Sequence, residues 1–315
     1  MLTIKQNNQS NEGIVKNLLT SFFGADTNSI LDFLRKWNSK NIICTYEGYD
    51  NEKLVGIIIC WKNSFHPYCT YFSIAIDRNY ELPHNVITLL LQRMETTVGE
   101  IYPLQTSIWE TNYLLKTYYE KKGFHEIRRT YIPSLKISAI TEDDYLNTPS
   151  KNHQSVCNLN DIENNKYLKE QLITLVRDTY ELTHKANLVA TLDLGKWEAM
   201  IFADDTILEA SYVVIENQEI LAFALLHDSD TPATLELGWR GAKKFEDLSL
   251  IVLLTCYQFN YGKDNAYEWV ETEIDTTDPF QLELLHHFPF APTPTLITYQ
   301  KVFSRRRNSE SEVRE

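Results

Sequence analysis

The sequence predicts an α+β protein in two domains, and three observations carry that reading. A chain of 315 residues is long enough for two cores of ordinary size. Runs of β-branched and aromatic residues alternate with stretches whose apolar residues recur at helical spacing. The same order of elements then occurs twice, with little residue identity between the copies.

In the first copy, residues 2–6 read as a short strand and residues 11–23 and 29–37 as two helices. Two β-rich runs, 41–47 and 54–61, flank a polar turn over 48–53 and form a hairpin. A strand over 70–76, a helix over 86–98 and a strand over 104–108 follow. Residues 109–124 form a helix that carries Asn112 and Tyr119 two turns apart on one side. Gly123 stops that helix in the left-handed conformation, and Phe124 packs back on its last turn. A strand over 126–132 closes the copy.

Residues 139–155 are polar and poor in periodicity, which predicts a linker between domains at 1–138 and 156–303. The second copy reads as helices over 166–188 and 194–202, then a hairpin of 210–216 and 220–226 around Asn217. A strand over 234–239, a helix over 248–261, a strand over 268–274, a helix over 279–287 and a closing strand over 295–302 complete it. Residues 304–315, which begin with Ser304 and three arginines, are charged and read as a disordered tail.

The net charge of −13 is unevenly placed: residues 1–135 hold 14 basic and 13 acidic side chains, residues 136–303 hold 12 and 27. The acidic second copy repels nucleic acid and attracts cationic ligands. No run of about eighteen apolar residues is present, so a membrane span is not expected. The amino terminus has no charged region followed by an apolar core, so no secretory signal is read there. Five scattered cysteines without metal-ligand spacing predict free thiols in a reducing cytoplasm. His286 and His287 are adjacent on a helix and point in different directions, so no metal site is expected from them.

Asn112, Leu115 three residues on, and the run Tyr119, Glu120, Lys121, Gly123, Phe124 resemble the closing motif of the GNAT superfamily of acyl-CoA-dependent N-acyltransferases. The segment from Trp269 to Leu285 also resembles the strand-to-helix segment of that family. In element order the resemblance spans most of the chain. It implies two tandem GNAT-like domains, each a mixed, mostly antiparallel twisted sheet flanked by helices. It also implies acetyl-CoA as co-substrate, an acetyl transfer to an amine, and a small-molecule or peptide acceptor. Tyr119 is implied as the acid that protonates the departing CoA thiolate, with Asn112 beside the cofactor. Pantetheine is expected along Ser73, Ile74 and Ile76, and the pyrophosphate over the backbone near His84, Asn85 and Val86.

The sequence departs from the family at the loops that receive the pyrophosphate. Residues 77–86 contain no glycine, and Pro83 removes a donor. In 239–248, Phe245 and Asp247 stand where glycines belong. Aligning Phe290 with Phe124 puts Leu285 opposite Tyr119, Asp278 opposite Asn112 and Pro289 opposite Gly123, so the second copy lacks the acid. The working site is therefore expected in the first copy. Acyl transfer needs the amine neutral; Glu110 and Glu81 are the base candidates there, and Glu236 is the strand carboxylate of the second copy. The alternative is a catalytically degenerate tandem module that binds a protein or a cationic ligand.

Overall fold

A computed structural model describes residues 1–7, 11–141 and 153–303. In chain order it contains β1 (Leu2–Gln6), α1 (Glu12–Phe23), α2 (Thr27–Trp37), β2 (Ile42–Asp50), β3 (Lys53–Trp61), β4 (Thr70–Ile76), α3 (Pro83–Val98), β5 (Leu104–Trp109), α4 (Tyr113–Lys121), β6 (His125–Tyr131) and β7 (Ser134–Lys136). It continues with β8 (Gln154–Asn158), α5 (Leu159–Ile162), α6 (Lys166–Thr183), α7 (Leu194–Ile201), β9 (Tyr212–Glu216), β10 (Glu219–Asp228), β11 (Thr234–Ala242), α8 (Leu248–Asp264), β12 (Trp269–Glu271), β13 (Ile274–Asp275), α9 (Pro279–His287) and β14 (Leu296–Lys301). The chain forms two compact units, the α+β class in two domains that the sequence predicts.

Among the described residues, unit 1 holds 1–7, 11–108, 112–127 and 298–303. Its strands lie in the order β1-β2-β3-β4-β5-β14-β6. β1 to β4 pair antiparallel, and the β2–β3 hairpin turns through Asn51 with φ of 52°, a conformation asparagine tolerates. Asn11, Asp26 and Asn112 cap α1, α2 and α4 by accepting backbone N–H bonds, while Gly123 at φ 77° ends the stretch after α4. α3 seats closely on the sheet because Gly56 has no side chain; a Cβ there would lie 2.6 Å from Val86 Cγ1. Val15, Leu19, Ile57, Ile59, Ile87 and Leu90 are wholly buried in this core.

Among the described residues, unit 2 holds 109–111, 128–141 and 153–297. Its main sheet runs β7-β12-β11-β10-β9-β8, and the short pair β6–β13 joins Thr130 and Tyr131 to Asp275 and Ile274. The β9–β10 hairpin turns through Asn217 and Gln218, both left-handed, as a two-residue hairpin turn requires. Val214, Leu226, Leu235, Leu254, Phe259 and Val270 lie at its core.

Several sequence expectations are corrected. Strand 295–302 does not close the second copy: its main part, Thr298 onward, belongs to unit 1, and β14 lies between β5 and β6. Specific polar contacts hold it there, Thr298 Oγ1 with Ser107 Oγ at 2.9 Å and Gln300 Nε2 donating to Gln105 Oε1 at 3.2 Å. A strand absent from the sequence reading, β7, pairs with β12 in unit 2. Trp109 ends β5, and α4 starts only at Tyr113 because Asn112 is its cap. The expected linker over 139–155 ends in β8, which begins at Gln154; its residues 142–152 and the tail 304–315 lie outside the described residues. All five cysteines are free thiols, and no helix among the described residues is long and apolar enough to cross a membrane.

Candidate functional site

The parallel pair β4–β5 forms a fork. The strands are in register at Thr70–Leu104 and Tyr71–Gln105 and then part, although β4 continues to Ile76 and β5 to Trp109. On its other side β4 stays fully paired with β3, from Trp61–Tyr71 to Gly56–Ile76. The β4 backbone from Phe72 to Ile76 therefore presents one edge that no strand takes up.

Tyr119 of α4 is completely buried. Its ring packs against Phe72 of β4 at 5.9 Å and 87°, and against Phe124, Tyr299 and Tyr118. Tyr119, implied by the resemblance as the acid, does not face an open cleft: aromatic side chains enclose it on several sides. Its hydroxyl is buried without a hydrogen-bond partner. Burial drives its pKa well up; the hydroxyl of Thr106, the residue just past the last paired position of β5, is near enough to oppose that shift but not placed for a well-formed bond. Tyr119 therefore keeps its proton.

Unit 2 repeats the fork with different contents. β11 and β12 are parallel and in register from Thr234–Trp269 to Glu236–Glu271, and β11 then runs on to Ala242. Asp278 caps α9 by accepting from Phe280 and Gln281 N–H at 2.9 and 3.1 Å. Burial raises its pKa to about 6 against those bonds. Burial, and then the neighbouring Glu273 and Glu271, also raise the pKa of Glu236. The turn into α8 is a short 3-10 helix over Phe245–Asp247, with no glycine and two carboxylates.

No family profile matches the sequence, and no curated protein sequence matches it. Solved structures match its fold. A GCN5-related N-acetyltransferase from Sphaerobacter thermophilus superposes with a TM-score of 0.60 at 11% identity, over 95% of this chain and 95% of that one. A tandem GNAT protein from the clavulanic acid biosynthesis pathway gives 0.57 at 10% identity, over 95% and 98%. A glucosamine N-acetyltransferase region of a fungal multi-domain β-N-acetylglucosaminidase gives 0.62 at 11% identity, over 95% of this chain and 38% of that one. The chain has a tandem GNAT fold.

Placed on that fold, the expected site residues divide. Ile74 and Ile76 are buried, Ser73 is half-buried, and it is their β4 backbone that borders the tandem GNAT fork. Val86 is a core residue pressed against Gly56, not a loop residue. His84 and Asn85 are exposed on the first turn of α3; His84 stacks on Tyr118 at 6.0 Å, and the Asn85 N–H is spent on Leu82 O at 3.1 Å. Asn112 is spent as the α4 cap, accepting from Leu115 N–H at 3.2 Å. Glu110, expected as a base candidate, accepts at its Oε2 from Arg129 at 3.1 Å and from the Thr295 hydroxyl at 2.7 Å, both within unit 2. Glu81 is exposed in the loop before α3.

Two residues of unit 1 enter that the motif reading of the GNAT fold did not assign. Tyr118 is buried, with its hydroxyl 2.8 Å from Thr88 Oγ1 and its pKa raised by burial. Asp77, at the end of β4, is buried against Lys53 at 2.7 Å, Ser21 Oγ at 3.0 Å and Asn79 N–H at 3.0 Å. Burial alone would raise its pKa, yet these partners together hold it below the usual carboxylate range. No motif marks either residue; only the aspartate directly after an apolar strand signals a strand-end ligand. Unit 2 also carries a groove of about 610 Å³ between α6 and the β10–β11 edge, lined by Tyr167, Glu170, Leu175, Asp178, Glu219 and Ile220 among others.

Proposed function

We propose that this protein is an acyl-CoA-dependent N-acyltransferase that moves an acetyl group from acetyl-CoA to an amine, with its site in the unit 1 fork. The observation that carries the reading is the unpaired β4 edge from Phe72 to Ile76 beside the orphaned hydroxyl of Tyr119. An unpaired strand edge offers alternating N–H and C=O groups to an extended amide-bearing chain such as pantetheine. A buried phenol kept protonated by its surroundings is suited to donate a proton to a thiolate. In the free protein that phenol is enclosed, so the reading requires the thioester to uncover it on binding.

The fit is unequal along the cofactor. The fork suits pantetheine. The start of α3 suits a pyrophosphate less well, because Pro83 has no N–H, the Asn85 N–H is spent, and a buried carboxylate stands at Asp77. Affinity below that of a glycine-loop site follows.

The test is acetyl-CoA turnover against a panel of small amines and peptides, comparing wild type with Tyr119→Phe. A fall of about 100-fold or more in kcat is expected for loss of a general acid. Unchanged turnover would reduce Tyr119 to a core residue. A second reading, a binding module for a cationic ligand, is favoured by the groove whose rim carries Glu170 beside Asp178 and Glu219, the last two already paired with Arg177 and with Lys243, which also lines the groove. It predicts saturable binding of a polyamine or basic peptide together with no turnover.

A further inference from the structure

The two forks differ in what occupies them. Beyond Glu236, the last residue of β11 paired with β12, two successive backbone acceptors are already taken by the protein. Leu237 O accepts from Thr272 Oγ1 at 3.0 Å, and Gly238 O accepts from both Nε and Nη2 of Arg240 at 3.2 Å. These positions coincide with a bulge, since Leu226 pairs with Leu237 and Ala224 with Arg240, leaving two β11 residues against one. Arg240 then reaches α8, where Nη1 donates to Thr255 Oγ1 at 2.8 Å, and the Thr255 hydroxyl in turn donates to Ile251 O at 2.8 Å.

Arg240 is only 2% exposed, and no carboxylate among the described residues comes within ion-pair distance of it. Asp278, the buried cap of α9, acts on it only across a gap, and burial pulls the guanidinium pKa down to about 9. An apolar side chain of similar length would fill this volume without the desolvation cost of a buried charge. It could not satisfy the bulge carbonyl and the α8 hydroxyl together, which a planar donor fork does. In unit 1, by contrast, no side chain among the described residues bonds the β4 backbone from Phe72 to Ile76, and apolar Ile74 and Ala75 stand at this level.

We propose that Arg240 is a built-in occupant of the unit 2 fork, taking up the strand edge and helix face that a bound chain would use. Unit 2 is then the copy that takes no acyl-CoA, and removing the side chain leaves a slot shaped for a small guanidinium. The acyl-CoA part rests on the N-acyltransferase reading above; the slot does not.

Hydrogen exchange resolved along the chain tests both parts. In Arg240→Ala, exchange over residues 237–242 should accelerate by about tenfold or more as the local hold is lost. Millimolar methylguanidinium should reverse this in the variant and change nothing in wild type. Exchange unaltered by Arg240→Ala, or no reversal by methylguanidinium, would overturn the occupant. If Arg240→Ala does not fold, Arg240→Lys, which keeps the charge but not the planar fork, should show the same acceleration, and its absence would overturn the claim equally. Acetyl-CoA added to wild type should slow exchange over 72–76 and leave 237–242 unaffected. Slowing over 237–242 would overturn the closed state of unit 2. An effect nowhere would overturn the N-acyltransferase reading instead, and the methylguanidinium arm would still decide the occupant.

Discussion

A buried phenol without a partner is a cost that folding alone does not explain, and Tyr119 is such a group. Its hydroxyl contributes nothing to the aromatic cluster formed with Phe72, Phe124 and Tyr299. Tyr119→Phe should therefore leave stability unchanged or raise it by about 1 kcal/mol, since a desolvated unsatisfied group is removed. Denaturant melts check this, and a clear loss of stability would mean that the hydroxyl has a structural partner. Asp77 behaves oppositely. Its folded pKa lies below the ordinary value of 3.8, so its contribution is complete above the unfolded pKa and is lost as pH falls through the folded one. Melts of wild type and Asp77→Asn below about pH 5 should converge as that contribution disappears. A gap between them that does not depend on pH would contradict the assignment to Lys53 and Asn79. Tyr119 and Asn112 could be picked from the sequence by motif, but burial could not. A motif fixes spacing along a helix, whereas enclosure depends on Phe72 and Tyr299, which arrive from strands far away in sequence.

At the level of elements, local chemistry made most of the fold legible. Both hairpins turn where asparagine permits a left-handed backbone, and α4 ends where Gly123 does. The short elements β7, β8 and β13 were not legible, because two to five residues carry too little periodicity to stand out from a loop. The cap of α9 gives a pH test of this scale. Asp278 titrates near 6 in the folded chain and near 3.8 otherwise, so the folded state holds more protons between those values. Stability should fall as pH rises through that window and level off above it. Asp278→Asn keeps an acceptor for the Phe280 and Gln281 N–H groups and should remove the slope, while Asp278→Ala should cost about 1 kcal/mol for the lost cap. Thermal melts from pH 4 to 7 distinguish these; a slope retained by Asp278→Asn would place the titrating group elsewhere.

At the scale of the molecule, the sequence showed two copies of one pattern but not which strand closes which sheet. The hydrophobic pattern of strand 296–301 does not say which sheet it joins; Ser107, Gln105 and Glu95 hold it beside β5 through Thr298, Gln300 and Lys301. Residues 1–138 alone should consequently fail to unfold cooperatively, and a peptide of residues 292–303 should restore a sharp transition, followed by circular dichroism. A cooperative 1–138 fragment would show that β14 is dispensable. The unpaired edge at β4, the enclosed Tyr119 and the arginine in the second fork together make a single cofactor site per chain the central expectation. Calorimetric titration with acetyl-CoA measures it directly: saturable binding at one site per chain is expected, whereas no saturable binding, or two equivalent sites, would contradict it.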